Sequence, residues 1–294
     1  MRWTPGGDSS DVEDRRDETG GGGGGGFGFG GIHLGIGGFL LLLVLSLVFK
    51  QNFFALLGGG GAAPGPAAVS SGPHTGAPNT AKDEQEKPTV EFVTFVLNDT
   101  QKTWTEILPE QTGKQYRHAK LVLYRDYTTG GCGAAQAATG PFYCPEDEKV
   151  YIDLGFYDEL SRRFGAPGDF AKAYVLAHEI GHHVQKILGI EQKAQQFQES
   201  NPGQANATSV KLELQADCFA GVWAHSTQER NLLEAGDIPS ALGAAAAVGD
   251  DRLQKMTRGR VQPETFTHGT SQQRQYWFQQ GFNGGTVASC NTFQ

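Results

Sequence analysis

The chain has 294 residues, a formal net charge of −8 and 42 glycines. At roughly 100–200 residues per domain this length accommodates one or two domains, and the acidic balance argues against a nucleic-acid binder, which carries a basic patch or a high pI. Four cysteines exclude a disulfide-dense miniprotein, but their even number permits two bridges.

In chain order, residues 1–31 are polar and then glycine-rich. A charged run from Asp8 to Glu18 precedes Gly20 to Gly26, and 19 of the 42 glycines fall within residues 1–61. Such a segment buries too little apolar surface to offset its ordering entropy, so it reads as a disordered tail. Residues 32–49, IHLGIGGFLLLLVLSLVF, contain no Asp, Glu, Lys or Arg, and Phe53 to Leu57 prolong the apolar character. About 20 apolar residues suffice to cross a hydrocarbon core, so residues 32–57 read as a single transmembrane helix. A cleaved signal peptide is the rival reading; the long polar tail and long apolar run favour an uncleaved anchor. Arg15 and Arg16 before the span against Lys50 after it place the N-terminus in the cytoplasm and the remainder in the periplasm or outside the cell. All four cysteines lie after the span, in keeping with an oxidising compartment. Residues 58–88, rich in Gly, Ala, Pro and Ser, read as a flexible linker.

The folded domain is expected over residues 89–294. Residues 90–97 (VEFVTFVL) read as a strand, with Asn98 or Asp99 capping a helix to Glu110. Residues 119–124 and 149–154 read as further strands, and 156–164 as a short helix. Asp169 is placed to cap a helix over 170–188 that closes at Gly189; other helices are expected over 206–225, 228–235, 239–256 and 271–280. Strands early and helices late make an α+β domain, mainly helical with a small sheet.

Within the helix 170–188 stands His178-Glu179-Ile180-Gly181-His182. Residues four apart share a helix face, so the two imidazoles can grip one zinc ion while Glu179, about 100° round, reaches toward a water on it. A catalytic zinc takes three protein ligands and keeps a fourth position open. Downstream candidates for the third ligand are Glu191, Glu199, Glu213, Asp217, His225 and His268. Glu213 and Asp217 share one face of a largely apolar helix, so Glu213 is the favoured ligand and Asp217 the partner for the other nitrogen of a ligating histidine. His183 points away from that face, toward solvent or a core hydrogen bond.

These residues resemble the thermolysin-like gluzincin branch of zinc peptidases, marked by HExxH followed by a helix bearing ExxxD. More closely, the chain resembles the bacterial family of "putative neutral zinc metallopeptidases". The residues that carry the likeness are MRW at the start, Val12-Glu13-Asp14-Arg15-Arg16, CGAAQAATGPFYCP (132–145), VYID (150–153), HEIGHHVQ (178–185), ELQADCFAGVWA (213–224) and FTHGTSQQR (266–274). The resemblance implies a zincin-like fold, one zinc per chain held by His178, His182 and Glu213, and hydrolysis of a peptide or protein substrate. Zinc would lower the pKa of its bound water toward about 7. Glu179 would act as general base and return the proton to the leaving amine. His268 and Arg274 are candidate catalytic donors to the oxyanion, by analogy with the His and Arg that follow the third ligand in CAAX-prenyl-protease-type membrane enzymes. By fold analogy the strand 149–154 is the candidate edge strand for an extended peptide. The alternative is a catalytically silent zincin module that binds or chaperones, and a non-peptide amide remains open as substrate.

The cysteines pair most simply as Cys132–Cys144 and Cys218–Cys290, although four allow three connectivities.

Overall fold

The computed structural model describes residues 1–5, 7, 9–18, 80–136, 140–162 and 168–293. The expected span over residues 32–57 and most of the expected linker lie outside the described residues. Among the described residues no helix is long and apolar enough to cross a membrane.

Three expectations for the N-terminal third are corrected. The start of the chain is folded: Val12–Asp14 forms strand β1, and Trp3 packs edge-on against Phe92 with ring centroids 5.3 Å apart. Its charges are the reason. Arg16 bonds Asp14 and Glu86, Lys149 bonds Glu13, and Arg125 reaches both Glu86 and Asp83, so the run that looks like a solvated tail is an ion-pair seam. Nor does the domain begin at Thr89, because helix α1 covers Thr80–Thr112. That helix also replaces the strand expected over 90–97. The β-branched run favours a strand locally, but Val93, Val96, Leu97, Thr100, Trp104 and Leu108 recur at helical spacing and are buried. Periodicity sustained over four turns outweighs local propensity. Asp99 is therefore no cap; from inside α1 it accepts from Trp223 Nε1 at 2.8 Å and pairs with Arg230.

Strands β2 (Lys120–Tyr124) and β6 (Lys149–Asp153) fall where expected. They pair in parallel, Leu121 beside Val150, and β1 adds in parallel to the other side of β2. Between them in sequence come the hairpin β3 (Tyr127–Gly130) and β4 (Gly133–Gln136), then β5 (Phe142–Cys144), which pairs antiparallel to β6. The main sheet has the order β1-β2-β6-β5. Strand β6 is thus interior, and the edge facing the helices' cavity is β5, a correction to the edge role given to 149–154. Cys132 and Cys144 form a disulfide that ties the hairpin turn to β5.

The helical half starts with α2 (Gly155–Arg162) and α3 (Asp169–Leu188). Asp169 is the first residue of α3 and pairs with Lys172 rather than capping; Gly168 holds the cap position. Helix α4 (Ile190–Ser200), for which the sequence carries no clear apolar stripe, precedes α5 (Ala205–Glu229). The helix expected over 228–235 is absent: α5 runs to Glu229 and a turn follows with Asn231 at φ 57°. The expected 239–256 helix is two, α6 (Asp237–Ala247) and α7 (Asp250–Arg258), and α8 spans Ser271–Gly284. Helix α3 is buried along most of its length, packed by α1, α5, α6 and the sheet. Phe170 of α3 stacks on Trp223 of α5, centroids 5.5 Å apart. Burial of an apolar side chain of this size contributes about 1.5–3 kcal/mol, and here it locks the two helices that carry the site.

Candidate metal centre

His178, Glu179 and His182 lie in the middle of α3, and Glu213 and Asp217 lie one turn apart on α5. The two helices meet this closely because of Gly181. A Cβ there would stand 2.9 Å from the Ala216 carbonyl oxygen, so only glycine lets α5 lie against the histidine face.

At that crossing, His178 Nε2 is 3.2 Å from one Glu213 oxygen and His182 Nε2 is 3.6 Å from the other. Among the described residues these three form the group whose ligand atoms converge, all within 4.8 Å of one another. Ligand atoms about 2.0–2.1 Å from a tetrahedral zinc stand about 3.3–3.4 Å apart, so the donor set and its spacing fit that ion. Both imidazoles are oriented through their other nitrogen. His178 Nδ1 lies 2.9 Å from Asp217 Oδ1, and His182 Nδ1 lies 2.9 Å from Gln185 Oε1.

Asp217 is wholly buried and accepts from three groups besides His178. Tyr174 donates its hydroxyl at 2.5 Å, and Arg274 donates through Nε at 2.7 Å and Nη2 at 2.9 Å. Burial raises the Asp217 carboxyl, but Arg274 and His178 outweigh this and hold it below the ordinary carboxylate range. Burial likewise lowers His178, yet Asp217 and Glu213 push it up to about 9. For Glu213 burial opposes ionisation, while His268, His178 and His182 bring its carboxyl well below the usual value.

Around these groups lies a cavity of about 460 Å³, lined among others by Glu179, Tyr143, Phe142, His268 and Arg274. His268 is brought to it by a part of the site that the sequence reading missed, Asp250. One carboxylate oxygen of Asp250 accepts the backbone N–H groups of Thr267, His268 and Gly269 at 2.6–3.0 Å. The other faces His268 Nδ1 at 3.3 Å. The break between α6 and α7 makes this possible. Gly249 sits against Ser271, where a Cβ would meet its backbone nitrogen at 2.4 Å, and Asp250 then starts α7 beside the 267–269 loop. The signal was present as an acidic residue directly after glycine inside an apparent helix. Burial lowers the His268 imidazolium, but Glu213 and Asp250 more than offset it and raise the value.

The remaining candidates separate. Arg274 lines the cavity, but its guanidinium is committed to Asp217, with Glu213 farther off at 3.8 Å. Glu191 lines the cavity without joining the ligand group. His225 bonds the Phe282 carbonyl oxygen, and Glu199 accepts from Gln195, both outside the convergent set. His183 makes the core contacts expected of it, to the Arg117 carbonyl oxygen and the Tyr143 hydroxyl. The second disulfide, Cys218–Cys290, pins the last helical turn (Val287–Cys290) to α5 immediately after Asp217.

The chain is 49% identical over 296 residues to the uncharacterized protein YpfJ of Escherichia coli K12, covering 100% of this chain and 99% of that one. It is 44% identical over 207 residues to the uncharacterized protein Rv2575 of Mycobacterium tuberculosis H37Rv, covering 67% and 68% of the two chains. No solved structure matches. The family profile described as "Putative neutral zinc metallopeptidase" matches residues 1–293, and the chain belongs to that family.

Proposed function

We propose that the protein is a zinc-dependent peptidase whose general base is Glu179. The observation that carries this reading is the convergence of His178, His182 and Glu213 on one point of a cavity that Glu179 also lines. Zinc held there would supply Lewis acidity, polarising a carbonyl and bringing the pKa of a water toward about 7.

The chain's own residues supply the rest. Glu179 accepts the proton of the attacking water and donates it to the departing amine, so the base ends the cycle as it began. His268 donates to the oxyanion. Asp250 at 3.3 Å and the Thr267 hydroxyl at 3.0 Å hold its Nδ1 side, and the Asp250 carboxylate stabilises the imidazolium form, which carries a hydrogen on Nε2 for that bond. Arg274 acts indirectly, holding Asp217 and through it the His178 ring. An extended substrate would lie along β5, whose Phe142 and Tyr143 border the cavity and which is one of the two edge strands of the sheet among the described residues. The two disulfides favour work in an oxidising compartment, and we assign residues 32–57 the role of membrane attachment.

The test is hydrolysis of an unfolded protein by the zinc-loaded chain and by Glu179→Gln. The variant should retain one zinc per chain and lose about 10²–10⁴-fold in kcat. Unchanged hydrolysis in Glu179→Gln removes Glu179 from the mechanism. Zinc binding without hydrolysis in either chain favours a binding module.

A further inference from the structure

His182 is held by a buried chain of side-chain amides that runs away from the cavity to the C-terminal turn. Gln185 Oε1 faces His182 Nδ1 at 2.9 Å. Gln185 Nε2 donates to the Leu212 carbonyl oxygen at 2.7 Å and to Gln215 Oε1 at 3.1 Å. Gln215 Nε2 then donates to the Cys290 carbonyl oxygen at 2.9 Å. Gln185 and Gln215 are 1% and 5% exposed, so these bonds face little competition from water.

The chain has a polarity. A main-chain carbonyl can only accept, so the carbonyls of Cys290 and Leu212 require the NH₂ end of each amide to point toward them. Each amide oxygen is thereby turned toward the metal side. At the last link an oxygen meets His182 Nδ1, and that nitrogen must carry the hydrogen. The lone pair of the neutral ring is then on Nε2, the nitrogen beside Glu213, which is the form a metal ligand needs. Cys290 is itself fixed by its disulfide to Cys218, and Cys218 follows Asp217, the partner of His178. Both imidazoles are thus oriented from groups adjoining one covalent bridge.

We propose that Gln185 and Gln215 are positioning residues that set the tautomer and plane of His182, with the Cys218–Cys290 bridge anchoring the far end. This rests on the zinc reading above for its purpose, but not for its geometry. The purified full chain, labelled with ¹⁵N-histidine, would be compared with Gln185→Leu and Gln215→Leu by the imidazole N–H resonances, first metal-free and then with zinc. Zinc affinity would be read by competition with a chromophoric chelator. In the metal-free wild type we expect the hydrogen of His182 on Nδ1. Gln185→Leu should displace that resonance and leave the His178 ring, held by Asp217, as it is. Its zinc Kd should rise about 10–100-fold, and Gln215→Leu should move both readouts in the same direction by less. Cys290→Ser should follow Gln215→Leu.

The proposal is overturned if folded Gln185→Leu leaves the His182 tautomer unchanged, or if its zinc Kd stays within about twofold of wild type, against the tenfold minimum expected. Equal disturbance of both rings would indicate a general packing defect and equally defeat it. If the wild type bound no zinc, the metal-free resonances would still decide the positioning claim, while the peptidase reading would fall.

Discussion

Arg274 and Asp217 are opposite charges enclosed within the protein, at 3% and 0% exposure. Their mutual hydrogen bonds repay the desolvation of both, so removing one strands the other. Arg274→Met should lower the unfolding free energy of the metal-free protein by about 3–5 kcal/mol in urea titrations. Adding Asp217→Asn to that variant should restore part of the loss, because the uncompensated charge disappears, yet zinc affinity should stay low because His178 has lost its carboxylate. The pH dependence follows from the same pair. The Asp217 carboxyl lies below its ordinary value in the folded chain. Its contribution is therefore complete above the unfolded carboxyl value of about 3.9 and is lost as pH falls through the lower folded value. Asp217→Asn should show a shallower acid decline of stability than wild type.

Helices and strands record what local sequence can and cannot disclose. HExxH on the apolar helix α3 and ExxxD on α5 encode the candidate metal centre directly, since residues four apart share a face. The partners Gln185 and Asp217 come from the same two helices. Asp250 was hidden because Ala-rich α6 and polar α7 read as one helix, and only the approach of Ser271 shows why the chain breaks at Gly249. That break has a measurable cost when filled. Gly249→Ala must push the 267–271 segment outward and should destabilise the fold by about 1–3 kcal/mol. It should also reduce kcat more than zinc affinity, since His268 moves and the ligands do not. Strand 90–97 was misread for the opposite reason: Val and Phe favour strands over eight residues, whereas the helical stripe that wins extends to Leu108, beyond that window.

At the scale of the whole molecule, the sheet joins segments far apart in sequence, and composition gave little warning of it. Asp11 to Glu18 carry enough charge to suggest a solvated tail, yet their partners Glu86, Arg125 and Lys149 lie 70 to 136 residues away. No local window contains that information; the family-like segments MRW (1–3) and VEDRR (12–16) are its only trace. The hydrogen-bonded register of β1 on β2 also constrains the route of the chain. Two strands in one ladder occupy one compartment, so residues 18 and 80 leave the domain on the same side of any bilayer. The expectation of a cytoplasmic N-terminus with the domain beyond a single crossing would require β1 to part from β2. Cysteines introduced at the exposed positions Ser10 and Lys102 should therefore react with a membrane-impermeant thiol reagent in the same cell fractions. Reaction at Lys102→Cys alone would mean that β1 detaches when the protein meets the membrane, and with it would go the seam that holds Arg16 to Glu86.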